Sequence, residues 1–108
     1  MPFYTLQDFP QELSTPKHSA ALDRLIAGSQ VEFRIITFKA GHVAQVHSHP
    51  DEQIVYVLKG RMSVSTEGSE TVIGPGQAVH FLPNVPHGTT MLDDIEAVSV
   101  KGVIGHKA

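Results

Sequence analysis

The segment HSHPDEQ, residues 47 to 53, puts two imidazoles one residue apart and an amide four positions after the second. On a strand His47 and His49 project from the same face, because successive side chains alternate. Gln53 lies six positions beyond His47, roughly 20 Å away if the strand ran on unbroken. Ligands of one metal ion sit about 2 Å from it, and so within a few ångströms of each other. The chain must therefore turn back between His49 and Gln53 for these groups to act together. Pro50-Asp51-Glu52 supplies such a turn, since proline fixes φ and aspartate tolerates turn geometry. A fourth group comes from His87 in FLPNVPHG, where two prolines and an asparagine make a rigid turn that aims the following strand. Rigid backbone is what a ligand set requires. Each feature alone has a plain structural reading: a surface H-x-H pair, a solvated glutamine, a histidine after a turn. Their joint arrangement points to a metal site.

The rest of the composition narrows what that site can be. Seven histidines stand beside no cysteine at all, which removes disulfides, thiolate nucleophiles and cysteine zinc sites together. Any metal ligands must be imidazole, amide or carboxylate. Net charge is −3, with no lysine- or arginine-rich block, so a nucleic-acid partner is not expected. No run approaches the roughly 18 to 20 apolar residues that span a bilayer, so no membrane partner is expected either. MPFYTLQDFPQEL lacks the basic region and apolar core of a signal peptide, and the expected compartment is the cytoplasm. At 108 residues the chain suits one domain, with residues 1–30 as an arm and first element and residues 31–101 as the core.

The elements that must position the site are short. Residues 1–18, with Pro2, Pro10 and Pro16, read as an extended arm with turns. SAALDRLIAG, residues 19–28, reads either as a short helix capped by Ser19 and ended by Gly28 or as a short strand. From Val31 the pattern is β. VEFRIITFKAG reads as a strand ending at Gly41, and IVYVLKGRMSVSTEG as a hairpin turning at Lys59-Gly60. ETVIGPGQAVHFLPNVPHG gives two short strands around Gly74-Pro75-Gly76 and then the Pro83-Asn84 turn. IEAVSVKGVI is the last strand. Short strands at this spacing, punctuated by Gly, Pro and Asn, predict an all-β sandwich or barrel. In QIVYVLKG both strand faces are apolar, whereas a strand with one wet face alternates. Its outer face is expected to be covered by the N-terminal arm or by a second copy, and a homodimer is predicted.

GHVAQVHSHPDEQIVYVLKG resembles the first motif of the cupins, with Gly41, His47, His49, Gln53 and Gly60 in register. GQAVHFLPNVPHGTTM is similar to the second motif, with Gly76 at its start and His87 at its histidine. The likeness covers residues 41–91. It departs at Gln53, where glutamate is common, and at Leu82, Asn84 and Met91, in place of a proline, a glycine and an asparagine. The resemblance implies a cupin-type jelly-roll β-barrel of the RmlC-like superfamily, holding one metal through His47, His49, Gln53 and His87. Small cupins with glutamine at this position resemble proteins of pectin and uronate breakdown. Those are expected to carry an acid and an arginine near the C-terminal end, and VKGVIGHKA contains neither.

Three neutral imidazoles and a neutral amide leave a divalent ion its full charge, which favours oxyanion ligands such as an α-keto acid. Four protein ligands leave two open positions on a six-coordinate ion, so iron, manganese or nickel is expected over zinc. The expected chemistry is Lewis-acid catalysis or dioxygenation of a small anionic metabolite. The alternative is a sensor or carrier that binds without turnover. Gln45 shares parity with His47 and His49 and reads either as pocket lining or as an exposed strand residue. Glu52 reads either as a proton shuttle or as a solvated turn acid. Thr89 and Met91 share the parity of His87 and read either as pocket wall or as packing. His18, His42, His80 and His106 carry no spacing argument and read as surface or structural.

Overall fold

The computed structural model describes residues 2–9, 12–13 and 22–104. Ser19, His18 and His106 lie outside the described residues. Within them every element but one 3₁₀ turn, Leu6–Asp8, is a β-strand. In chain order these are β1 (Glu12–Leu13), β2 (Leu22–Ala27), β3 (Val31–Phe38), β4 (Val43–His47) and β5 (Gln53–Lys59). They continue with β6 (Met62–Thr66), β7 (Ser69–Ile73), β8 (Ala78–Phe81), β9 (His87–Met91) and β10 (Ile95–Gly102). Residues 22–27, open between helix and strand in the sequence, form β2. Its ladder with β3 settles the matter, running from Leu22↔Thr37 to Ala27↔Glu32.

Two antiparallel sheets face each other. The larger has the order β1-β2-β3-β10-β5-β8 and the smaller β4-β9-β6-β7. The expected all-β jelly-roll sandwich is what forms. One local expectation is corrected: β5 and β6 are not a hairpin. β5 belongs to the large sheet, and β6 pairs with β7 and β9 in the small one. Gly60 explains the crossing. Its φ is +80°, and a Cβ there would lie 2.3 Å from the Asp94 carbonyl oxygen, so only glycine passes this corner. The true hairpin is β6–β7, whose turn residues Glu67 and Gly68 both have positive φ, as a two-residue turn matched to strand twist requires.

Alternation assigns the inward residues. On β5 they are Gln53, Val55 and Val57; on β10, Ile95, Ala97, Ser99 and Lys101. Val55, Val57, Met62, Val64, Ile73, Phe81, Met91, Ile95 and Ala97 form the buried apolar core, with Phe38 and Val79 packed against it. The outward residues of β5 differ: Ile54, Tyr56 and Leu58 are 43%, 44% and 39% exposed. The N-terminal segment Tyr4–Gln7 shares a surface groove with Arg24, Ile35 and Glu96, over β2, β3 and β10. Arg24 Nε donates to the Phe9 carbonyl there. The described part of the arm therefore covers part of the large sheet's outer face at β2, β3 and β10 and does not reach the β5 stripe.

Candidate metal centre

His47, His49 and His87 converge, one ring nitrogen from each lying within 4.8 Å of the others. Three local devices bring them together. The first is a bulge. β4 and β9 pair at Ala44↔Thr89 and again at His47↔His87, so β4 spends one residue more than β9 between the two pairs. That sets His47 directly opposite His87. Gly88 permits the approach: a Cβ there would sit 3.1 Å from the Ala44 carbonyl oxygen and 3.2 Å from the Val46 amide nitrogen.

The second device is the segment Ser48–Glu52. It does not fold β5 back beside β4 in one sheet but carries the chain from the small sheet to the large one. Gln53 thus faces the histidines across the interior, with His49 on the connection. The third is the Pro83-Asn84 turn. Asn84 adopts φ +63°, a left-handed conformation that asparagine tolerates where glycine is usual. Its backbone N–H donates to the His49 carbonyl at 2.8 Å, so the second motif's turn fixes the first motif's histidine.

The rings are oriented from behind. His47 Nδ1 lies 2.8 Å from the Gln45 carbonyl, His49 Nδ1 2.7 Å from the Asp51 carbonyl, and His87 Nδ1 3.0 Å from the Val85 carbonyl. A carbonyl only accepts, so each Nδ1 carries the proton and each neutral ring keeps its Nε2 lone pair. This is the outer-shell arrangement that orients metal-binding imidazoles. Phe81 stacks on His87 with ring centroids 3.9 Å apart and fixes its plane. Burial pushes the His87 pKa down to about 4, and the charges of His47, His49 and Lys101 push the same way. Burial also lowers His49, where Lys101 and His47 again add. Both rings are thereby kept neutral, the form a metal needs.

His49 Nε2 is buried and has no hydrogen-bond partner among the described residues. A buried nitrogen lone pair left unsatisfied costs on the order of 1–3 kcal/mol, and a metal ion is the partner that two neighbouring imidazoles imply. The donor set fits a divalent transition ion. Gln53 Nε2 donates to Ser99 Oγ at 2.8 Å, which uses the donor side of the amide and leaves its carbonyl oxygen as the acceptor.

The sequence candidates fall in different places. His47, His49, Gln53, His87 and Thr89 line one pocket of about 110 Å³. Gln45 is exposed and gives the site only its carbonyl, because the bulge breaks the parity that placed it inward; Ala44 lines the pocket instead. Glu52 is exposed and meets His80 Nε2 at 3.0 Å. Met91 is 2% exposed and belongs to the apolar core. The pocket also contains charges that spacing did not flag: Glu32, Arg34 and Lys101. The Arg34 guanidinium donates to both carboxylate oxygens of Glu32, at 3.1 and 3.3 Å, and pairs with buried Asp23. The signal was present in VEFRIITF, whose inward face reads Glu, Arg, Ile, Phe.

The sequence profile described as "Cupin domain" matches residues 34–100. Among solved structures, KdgF from Halomonas sp. is 22% identical with a TM-score of 0.83, covering 94% of this chain and 93% of its own. An RmlC-like cupin from Shewanella frigidimarina is 20% identical with a TM-score of 0.82, covering 93% and 88%. The polyketide cyclase RemF from Streptomyces resistomycificus is 20% identical with a TM-score of 0.79, covering 94% and 79%. These likenesses show the fold. No curated protein matches the sequence. Among the described residues no helix is long and apolar enough to cross a membrane.

Proposed function

The chain belongs to the cupin family, and from that premise we propose that it is a metal-dependent enzyme. Its substrate is a small anionic metabolite, a keto acid or a sugar-acid-like molecule, and its ligands are His47, His49, Gln53 and His87. The observation that carries this reading is the buried, unpartnered Nε2 of His49 beside two imidazoles held in the same tautomer. A bound iron, manganese or nickel ion, favoured over zinc, would supply Lewis-acid polarisation of a substrate oxygen or dioxygenation.

The chain's own residues do the remaining work. The donors are all uncharged, so the site keeps a cationic field that draws oxyanions. Ser99 orients the Gln53 amide. Phe81 and Val55 wall the pocket with apolar surface, and Thr89 offers it a hydroxyl. A cavity of about 110 Å³ is well below the roughly 300–1,000 Å³ of drug-sized sites, which favours substrates at the small end of the class.

A binding module without turnover is favoured by one observation. Glu32 is the one carboxylate among the described residues lining the pocket, and Arg34 occupies both its oxygens. A general base must then be a water or a displaced Glu32. Proton NMR of the metal-loaded protein with a panel of 2-oxo acids and uronates, beside an oxygen electrode, separates these readings. Metal-dependent product formation supports the enzyme. Saturable binding of the same compounds with no turnover replaces it with the sensor or carrier.

The same proposal includes a homodimer through the outer face of β5. Ile54, Tyr56 and Leu58, with Val100 on the neighbouring strand, form an exposed apolar stripe that the described part of the N-terminal arm does not reach. Light scattering at micromolar concentration tests it, and Leu58→Lys should yield the monomer.

A further inference from the structure

Lys101 is an inward-facing cation at the end of β10 that the proposed ligand set does not use. Its cross-strand neighbours are Glu32 on one side and Gln53 on the other. It lines the same pocket as the three histidines, and its charge is felt at both His49 and His87. Arg34, the other cation in the pocket, has its guanidinium engaged by Glu32 and Asp23. The Lys101 ammonium makes no hydrogen bond or ion pair with any described residue, although it is partly buried. A half-desolvated ammonium with three idle donors is costly unless an anion meets it.

We propose that Lys101 is a specificity-determining residue that grips a second anionic group of the substrate, so that the site selects small dicarboxylate-type molecules over monocarboxylates. One end of the molecule, a keto-acid head, lies at the histidine cluster, and the other, a carboxylate, meets the Lys101 ammonium. Glu32 on β3 and Asp23 on β2 hold the Arg34 guanidinium and keep it from competing for that carboxylate. No bond is made or broken in this step. It is recognition by a charge-assisted hydrogen bond, and it deepens the proposed function, on which it rests.

The test compares two ligands with the same head and the same chain length, 2-oxoglutarate and 2-oxopentanoate. Titration calorimetry on manganese-loaded wild type, Lys101→Met and Lys101→Arg measures the affinity ratio of the two. Wild type should favour 2-oxoglutarate about tenfold or more, the range of one charge-assisted contact. Lys101→Met should bring the ratio near one, and Lys101→Arg should restore it. A preference that survives in Lys101→Met, or no preference in wild type, overturns the inference. Metal content on the same samples separates the two failures. Loaded protein with an unchanged ratio sinks only the role of Lys101, whereas empty protein sinks the metal reading and this inference with it.

Discussion

The two ends of one interior carry opposite chemistry, and the same strands build both. β3 runs inward from Glu32 and Arg34 to Ile36 and Phe38, and β5 from Gln53 to Val55 and Val57. Antiparallel β10 completes the gradient in reverse, from Ile95 and Ala97 to Ser99 and Lys101, and β9 passes from His87 through Thr89 to Met91. At one end Val57, Met62, Val64, Met91, Ile95 and Ala97 fill space with apolar volume. At the other, titratable and amide groups surround a pocket. Burial stabilises the first end. Among the described residues the second holds a buried nitrogen without a hydrogen-bond partner and a partly buried ammonium outside any ion pair, which weigh against folding in the absence of ligand. The apolar end sustains the fold, and so the polar end can be arranged for binding.

That division can be broken most forcefully at the apolar end. Met91→Ala removes a fully buried side chain and should cost about 2–5 kcal/mol, a large share of a small domain's roughly 5–15 kcal/mol. Urea denaturation should show the midpoint collapse, while metal bound per folded molecule stays at the wild-type level. Loss of metal stoichiometry in the folded fraction would mean the ends are not separable.

Acid should act on the polar end. His87 has its pKa lowered from 6.5 to about 4 by burial. Below the unfolded value the unfolded chain takes up a proton that the folded chain refuses. The stability contributed by neutral His87 is therefore complete above about pH 6.5 and is lost as pH falls to about 4. At about 1.4 kcal/mol per unit, metal-free protein should lose on the order of 3 kcal/mol over that window. His87→Phe, which keeps the stack on Phe81, should flatten the curve. A slope of unchanged size in that variant would assign it to other groups.

Metal removal is the milder perturbation. A ligand at a hundred times its dissociation constant stabilises by about 2.7 kcal/mol, so a chelator should lower the melting temperature of wild type and leave His49→Ala unmoved. The smallest effect belongs to the outer face. Leu58→Lys should change the stability of the monomer by no more than about 0.5 kcal/mol, while shifting the mass seen by light scattering.

The converging histidines were legible in the sequence because their signal is largely local. H-x-H fixes a shared face, and the two proline turns fix where the chain must bend. Most strands were legible as short apolar runs punctuated by Gly, Pro and Asn, and β2 was not, because six residues flanked by a short connection fit either period. What spacing missed was anything set by a partner strand. Parity left Gln45 either lining the pocket or exposed, and a bulge against β9 decided for exposure. Met91 has the parity of the pocket wall, but it sits two residues beyond Thr89, where the interior has become apolar. Glu32, Arg34 and Lys101 meet only because β3 and β10 pair, over 60 residues apart in sequence. The β5–β6 crossing at Gly60 looked like a hairpin because a glycine corner and a hairpin turn share one local signature.

The central claim is that HSHPDEQ and His87 hold a metal ion. Elemental mass spectrometry on protein purified without a histidine tag, wild type beside His49→Ala, tests it most directly. Near-stoichiometric iron, manganese or nickel in wild type, falling sharply in the variant, is the predicted result. Little metal in either, with no uptake when iron, manganese, nickel or zinc is added, would contradict it and leave the convergent histidines as a polar corner of the sandwich.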